Sequence, residues 1–329
     1  MKAIVYASYG SPDVLQVRDV ETPTVSKGTI LIRVRAAEAT KADCELRSFV
    51  FPVKWFWLPL RIAMGIRKPR NPVLGGYFAG VIEAVGDGVT GFSKGDEVFG
   101  STGLRMGAYG QYVSLPATST IVAKPSNMNF EEAAAVPLGG LNALHFLNKA
   151  NVQSGETVLV NGAGGSIGCF GVQIAKVRGA EVTAVDHTIK EEMLRGIGAD
   201  HFVDYTQQDF AKSGKTYDVI LDMVARSSYS GCVGALNPNG RYLMANPRVS
   251  DMLKSVLTSW FTNRTAIFAF AGERREELLA LKDMIEKGEI SSTVDRVFPP
   301  EQAGEAHRRV EAEQRLGCVV ISQQDGSDR

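Results

Sequence analysis

Four glycines between Asn161 and Cys169 carry the strongest chemical signal in this chain of 329 residues. In TVLVNGAGGSIGCFGVQIAK, Thr157–Lys176, a run of strand-forming apolar residues leads into Gly162, Gly164, Gly165 and Gly168, and a helical apolar period follows. Glycine at such a turn permits positive φ, lets backbone approach a pyrophosphate, and allows helix and strand to pack closely. The helix that starts there offers amides and partial positive charge to phosphate oxygens. Ser166 and Ile167, which open the helix, are therefore grouped with the four glycines as cofactor-binding positions. The chemistry they imply is dinucleotide binding through backbone, in a strand–turn–helix setting that a lone glycine pattern lacks.

Asp186 stands at the end of the next strand, where a carboxylate accepts hydrogen bonds from an adenosine ribose and favours NADH. His187 and Lys190, with Arg195 close by, are placed to attract a 2′-phosphate instead, and an Asp at a strand end also serves as a helix cap for TIKEEMLRGIG. The coenzyme is thus NAD(P)H, with NADH against NADPH open.

These residues need elements to hold them. From Met1 to about Lys124 short β-rich runs alternate with glycine and proline, as in TILIRVRAA, GVIEAVGDGV and YGQYVSLP. Past Pro125 the pattern becomes alternating strands and amphipathic helices, with strands expected at Thr157–Asn161, Glu181–Asp186, His201–Asp204, Asp218–Asp222, Arg241–Ala245 and Ala266–Ala271. Six such strands suit a doubly wound parallel sheet, the Rossmann arrangement. CVVIS near the end is a seventh that has no place in that count and is expected to return to the first domain. The fold class is therefore α/β: a β-rich domain of residues 1–124 and 275–329, and a dinucleotide-binding domain of residues 125–274. The last residues, QQDGSDR, read as disordered.

The bulk numbers narrow the partners. Basic and acidic residues balance at 36 each, so overall composition carries no footprint for nucleic acid or anionic lipid. The four cysteines, Cys44, Cys169, Cys232 and Cys318, are scattered, with neither a CxxC pattern nor a disulfide framework, which points to a reducing compartment. The start, MKAIVYASYG, lacks the apolar core of a signal peptide, and a cytoplasmic location is expected. Phe49–Ile66 is apolar and aromatic, but Lys54, Arg61, Pro52 and Pro59 interrupt it, so it is not expected to span a membrane. It reads first as a packed wall or lid, and second as an interfacial anchor or partner surface.

Several stretches together resemble one family: MKAIVYASYGSPDVLQV, AGVIEAVGDGVTGFSKGDEVFG, GAYGQYVSLPA, the glycine turn, LGADHFVDY-like GIGADHFVDY, and DRVFPPEQAGEAHRRVE. Over nearly its whole length the chain is similar to the zinc-independent quinone oxidoreductase-like branch of the medium-chain dehydrogenase/reductases. The resemblance implies a GroES-like catalytic domain, a Rossmann domain, and NAD(P)H-dependent reduction of quinones, enones or related carbonyl compounds by direct hydride transfer. It implies that Thr40, Asp43 and Asn142 face the nicotinamide, that Tyr205 lies beside the adenine, and that Met223 and Val224 touch the ribose. Zinc-using relatives place a cysteine, a Gly-His-Glu and a second cysteine around the ion; here those positions read Thr40, Gly75-Gly76-Tyr77 and Pro137, so no metal is expected. Gly76-Tyr77 and Cys318 depart from the metal-free branch too, where Ser-Asp and lysine are common.

Without a metal the proton comes from Tyr77, Tyr109, Tyr112, Asp43 through water, or bulk water. Thr40, Asp43 and Tyr77 are the catalytic candidates, although Asp43 has a structural alternative in an ion pair with Arg47. The histidines, His145, His187, His201 and His307, show no ligand spacing. IFAFAG, Ile267–Gly272, reads as an apolar edge strand able to pair with a second copy, giving a homodimer, and Phe270 within it is counted as cofactor-binding. The competing reading to an enzyme acting on a flat apolar electrophile is an NAD(P)H-binding scaffold or redox sensor with little turnover, and Gly76-Tyr77 motivates it.

Overall fold

The computed structural model describes residues 1–52, 57–269 and 272–323. Phe270 and the end of the expected sixth strand lie outside these residues, as do most of the QQDGSDR tail and Val53–Phe56.

The first half supplies β1 (Lys2–Tyr6), β2 (Leu15–Asp19), β3 (Thr29–Ala39), β4 (Tyr77–Val85), β5 (Glu97–Ser101), β6 (Tyr112–Pro116) and β7 (Ile121–Ala123). The alternation in β3 is strict until its last residues, with Ile30, Ile32 and Val34 inward, as a half-buried antiparallel strand requires. The second half supplies β8 (Thr157–Asn161), β9 (Glu181–Asp186), β10 (His201–Asp204), β11 (Tyr217–Asp222), β12 (Leu236–Met244) and β13 (Thr265–Phe268), and the tail adds β14 (Val294–Phe298) and β15 (Cys318–Ser322).

β8 to β13 form one parallel sheet in the order β10-β9-β8-β11-β12-β13. Strand order reverses at β8, so the crevice beyond its carboxyl end is the topological switch point at which doubly wound sheets bind ligands. The second sheet runs β14-β15-β3-β4-β5-β7, with β6 also on β3. β15 pairs antiparallel with β3, Val319 opposite Ala39 and Ser322 opposite Ala36, so the last strand closes the sheet built by the first half. Apolar residues of both sheets, among them Ala36, Ala79, Phe99 and Val320 from one and Val158, Val160 and Val182 from the other, share one buried cluster, which fixes the seam between them.

Candidate active site

The glycine turn lies on that seam. Gly162 sits at φ +79°, a conformation L side chains rarely adopt. A Cβ on Gly168 would meet the Gly162 carbonyl oxygen at 2.4 Å and the Ala163 carbonyl oxygen at 2.5 Å, so the helix Ser166–Val177 touches the turn backbone to backbone. Its first intrahelical bond is from Cys169 N–H to the Gly165 carbonyl, 2.9 Å, and no side chain caps it. The amides of Ser166, Ile167 and Gly168 therefore precede the ladder, as donors an anion can take. Across the seam, Gly317 N–H donates to the Gly164 carbonyl at 3.0 Å. The Ser166 hydroxyl donates to Glu38 of β3 at 2.5 Å, so this side chain points into the seam and only its amide faces a ligand.

Asp186 braces the turn. Its carboxylate accepts Gly164 N–H at 2.7 Å and His187 N–H at 2.8 Å, and pairs with the Lys190 ammonium at 2.9 Å. Lys190 is itself buried and lies against Gly164, so a Cβ there would meet its Cδ at 2.2 Å. The cap alternative read from the sequence does not hold: Asp186 accepts from Gly164 and His187, and it is His187 that caps the segment that follows. His187 Nδ1 accepts Ile189 N–H at 3.2 Å and caps the next turn, and its ring meets the exposed Tyr205 ring edge-on at 6.3 Å. Met223 and the exposed Val224 flank Gly162 from the end of β11. The structure thereby brings Asp186, His187, Lys190, Tyr205, Met223 and Val224 to one rim of the turn.

On the seven-stranded sheet the picture differs from expectation. Thr40 and Asp43 form a reciprocal cap on the helix Lys41–Ser48: Thr40 N–H and hydroxyl donate to Asp43 at 3.0 and 2.6 Å, and Asp43 N–H donates back to Thr40 at 3.0 Å. Asp43 also accepts Gly75 N–H at 3.1 Å and is 2% exposed. Burial raises its pKa against the pull of these hydrogen bonds. Both oxygens of this carboxylate are engaged by Thr40 and Gly75, and the alternative ion pair with Arg47 does not form, because Arg47 turns to Glu311. Tyr109 is wholly buried with its hydroxyl 3.0 Å from His307 Nε2, so it is packing rather than a proton donor. Burial holds the His307 imidazole down at about 3. Tyr112 lies half-buried in β6. Asn142, half-buried on the helix Pro137–Ala150, donates back to the Leu138 carbonyl at 2.9 Å.

Tyr77 keeps a polar partner. Its hydroxyl donates to Glu273 at 2.7 Å, and Ser101 donates to the other oxygen of that carboxylate at 2.6 Å. Glu273 sits at φ +45°, and its carbonyl accepts the hydroxyl of Thr120, in the turn before β7, so three hydroxyls from the first half of the chain hold the segment that follows β13. Burial, and then the Glu273 charge, push the Tyr77 hydroxyl far above the usual phenol range, keeping it protonated.

Residues 26–126 match the family model of the alcohol dehydrogenase GroES-like domain, and residues 197–321 that of the zinc-binding dehydrogenases. The chain is 30% identical to a quinone oxidoreductase of Pseudomonas aeruginosa over 97% of its own length and 99% of the relative's. It is 30% identical to a 2-methylene-furan-3-one reductase of Solanum lycopersicum, covering 98% of this chain and 79% of the relative. The chain belongs to the medium-chain dehydrogenase/reductase family, in its quinone oxidoreductase-like branch. Among solved structures, the quinone oxidoreductase from Coxiella burnetii superposes with a TM-score of 0.87 at 26% identity, covering 98% of this chain and 99% of that one. As a member of this family the protein is an oxidoreductase that binds a nicotinamide cofactor, and the uncapped helix start and the glycine cradle suit that group.

Among the described residues no group of three or more His, Cys, Asp or Glu side chains could hold a metal ion. All four cysteines are free and buried. Three site residues escaped the sequence. Arg315 brings its guanidinium to 3.6 Å of where a Gly165 Cβ would stand, a buried cation beside the turn. Glu38 and Glu273 complete the set, both contributed from far along the chain, and none of the three lies in a motif that announces contact with the turn or with Tyr77.

Proposed function

We propose that the protein uses NADH or NADPH, without a metal, to reduce quinones, enones or related carbonyl compounds. The observation that carries this reading is the docking of the glycine turn onto Gly317 and Glu38 on the seam of the two sheets, with no metal-ligand cluster among the described residues. The names of the curated relatives, quinone oxidoreductase and 2-methylene-furan-3-one reductase, supply the substrate class.

The amides of Ser166, Ile167 and Gly168, with the Arg315 cation, hold the pyrophosphate; Asp186, Lys190, His187 and Tyr205 meet the adenosine end, and Met223, Val224 and Asn142 lie along the rest. A bound nicotinamide supplies the hydride. The chain's own part is orientation and exclusion of water. The Thr40–Asp43 cap and its bond to Gly75 fix the backbone ahead of Tyr77, and Glu273 fixes the Tyr77 hydroxyl. Since Tyr77 stays protonated and its one hydroxyl proton is donated to Glu273, its part is to hold the wall of the site in place, and the proton that completes reduction comes from water.

The same reading divides the chain into a catalytic domain of residues 1–124 with 275–329 and a Rossmann domain of residues 125–274, and places it in the cytoplasm, in keeping with its four reduced, buried cysteines. It also makes the protein a homodimer through β13, the end strand of its sheet. The neighbouring helix Val249–Phe261 supports this: it turns Asp251 and Ser255 inward and leaves Leu253, Leu257, Trp260 and Phe261 exposed, an apolar face a second copy would cover.

Oxidation of NADH and NADPH by a panel of quinones and α,β-unsaturated carbonyls, with a chelator present, tests the proposal. Turnover that survives chelation supports it; cofactor binding without turnover would favour the scaffold reading, which the engagement of Tyr77 by Glu273 keeps in view.

A further inference from the structure

The overall charge balance hides a local segregation. Between Glu45 and Glu83 the chain has no acidic residue but six basic ones, Arg47, Lys54, Arg61, Arg67, Lys68 and Arg70. Arg47 is taken inward by Glu311, and Arg61 stacks over Tyr9 and Phe49 at 3.9 and 4.4 Å from the ring centroids. Arg67, Lys68 and Arg70 are exposed and pair with no carboxylate among the described residues.

The helix Trp57–Met64 that precedes them is turned outward. Leu60 and Met64 pack on the core of the seven-stranded sheet, while Leu58 and Ile62, one turn apart, are 61% and 51% exposed and Ile66 beyond them is 64% exposed. The helix is held in place: Tyr9 donates to the Gly65 carbonyl at 2.8 Å, and Arg61 closes the aromatic stack beneath. Asn71, at the end of the basic run, donates to the Arg105 carbonyl at 2.9 Å. That bond brings in the turn Gly103–Arg105, where Leu104 is 97% exposed, as a side chain at a projecting tip is, and Arg105 is exposed beside it.

We propose that this surface docks the protein on anionic phospholipid membranes. Leu58, Ile62, Ile66 and Leu104 enter the boundary between headgroups and acyl chains, and Arg67, Lys68, Arg70 and Arg105 meet the phosphates around them. The attachment is peripheral, since no helix among the described residues is long and apolar enough to cross a bilayer. Charge decides the occupant: an apolar face alone fits many partners, but one ringed by unpaired cations fits a negative surface, and projecting aliphatic tips suit a fluid bilayer better than a shaped protein pocket. The inference stands whether or not the proposed substrate class is right.

The test is co-flotation of the full chain with vesicles of phosphatidylcholine alone and with about one third phosphatidylserine, at low salt and in about 0.5 M NaCl, where screening is nearly complete. Binding should require phosphatidylserine and be lost in high salt. The double variant Arg67→Gln/Lys68→Gln should partition about thirtyfold less, roughly fivefold for each basic side chain, and Leu104→Asp should also weaken binding, with thermal stability and cofactor affinity unchanged in both. No flotation with anionic vesicles, equal flotation with neutral ones, or variants that bind like the parent would overturn the proposal. If Leu104→Asp instead abolished self-association, the face would belong to a second copy.

Discussion

Glu38 offers the sharpest test of how the seam is built. It is fully buried, one oxygen accepts the Ser166 hydroxyl, and the other has no partner among the described residues. Burial pushes its carboxyl from 4.5 up to about 8, against the opposing pull of Ser166, Cys318 and Arg315. The folded protein therefore keeps a proton that the unfolded chain has already lost between these two values, and stability falls as pH rises through the window. At about 1.4 kcal/mol per pH unit the loss attributable to Glu38 is about 3 kcal/mol at pH 7 and at most about 5 kcal/mol at pH 8. Glu38→Gln keeps the shape and an acceptor for Ser166 while removing the titration. Its melting temperature should match the parent's near pH 5 and exceed it by roughly 10 °C near pH 8, taking about 2–4 °C per kcal/mol for a large domain. His307, held down at about 3, acts in the opposite sense, costing stability as pH falls below 6.5, but it is common to both proteins and cancels in the difference. Melting curves that run parallel for variant and parent from pH 5 to 8 would refute the buried, protonated Glu38.

The cofactor cradle makes its own predictions. Gly168→Ala forces a Cβ onto two carbonyl oxygens at 2.4 and 2.5 Å; overpacking of about 1–3 kcal/mol should weaken NAD(P)H binding by fluorescence titration about 5- to 150-fold, whereas Gly234→Ala, with nothing within 4 Å, should leave it unchanged. Asp186→Ser releases the Lys190 ammonium and should move the kcat/KM ratio toward NADPH by about tenfold, roughly 1.4 kcal/mol; unchanged selectivity would remove Asp186 from coenzyme recognition. Tyr77→Phe and Glu273→Ala each remove the same 2.7 Å bond, so their effects on turnover should be non-additive by about 1 kcal/mol in a double-mutant cycle, and full additivity would separate them.

What the sequence made legible was whatever periodicity and local backbone chemistry decide. β8, β9 and β10 occupy the segments expected of them, since each is a short apolar run bounded by turn residues, and the glycine turn was readable because its function resides in backbone. The return of Cys318–Ser322 to β3 followed from a strand left over in the count. Asp43 was read for chemistry from its type and family position, and the capping box with Thr40, three residues away, was not read. Glu38, Glu273 and Arg315 were out of reach because their partners, Ser166, Tyr77 and Gly165, are set by how the two sheets meet, and no local spacing encodes that. The outward face of Trp57–Met64 lies in the stretch read second as an interfacial anchor or partner surface, whereas that of Val249–Phe261 was not read, since a helical apolar stripe is normally an inward one.

The central claim, metal-free reduction at the seam, is tested most directly by following a deuterium label from the reactive C4 position of NADH or NADPH into an enone product, with chelator present and bound metal assayed. The account predicts turnover without metal and deuterium on the β-carbon of the product, the α-proton coming from water. Activity that disappears with the chelator and returns with zinc, or a product whose β-hydrogen derives from solvent, would contradict it.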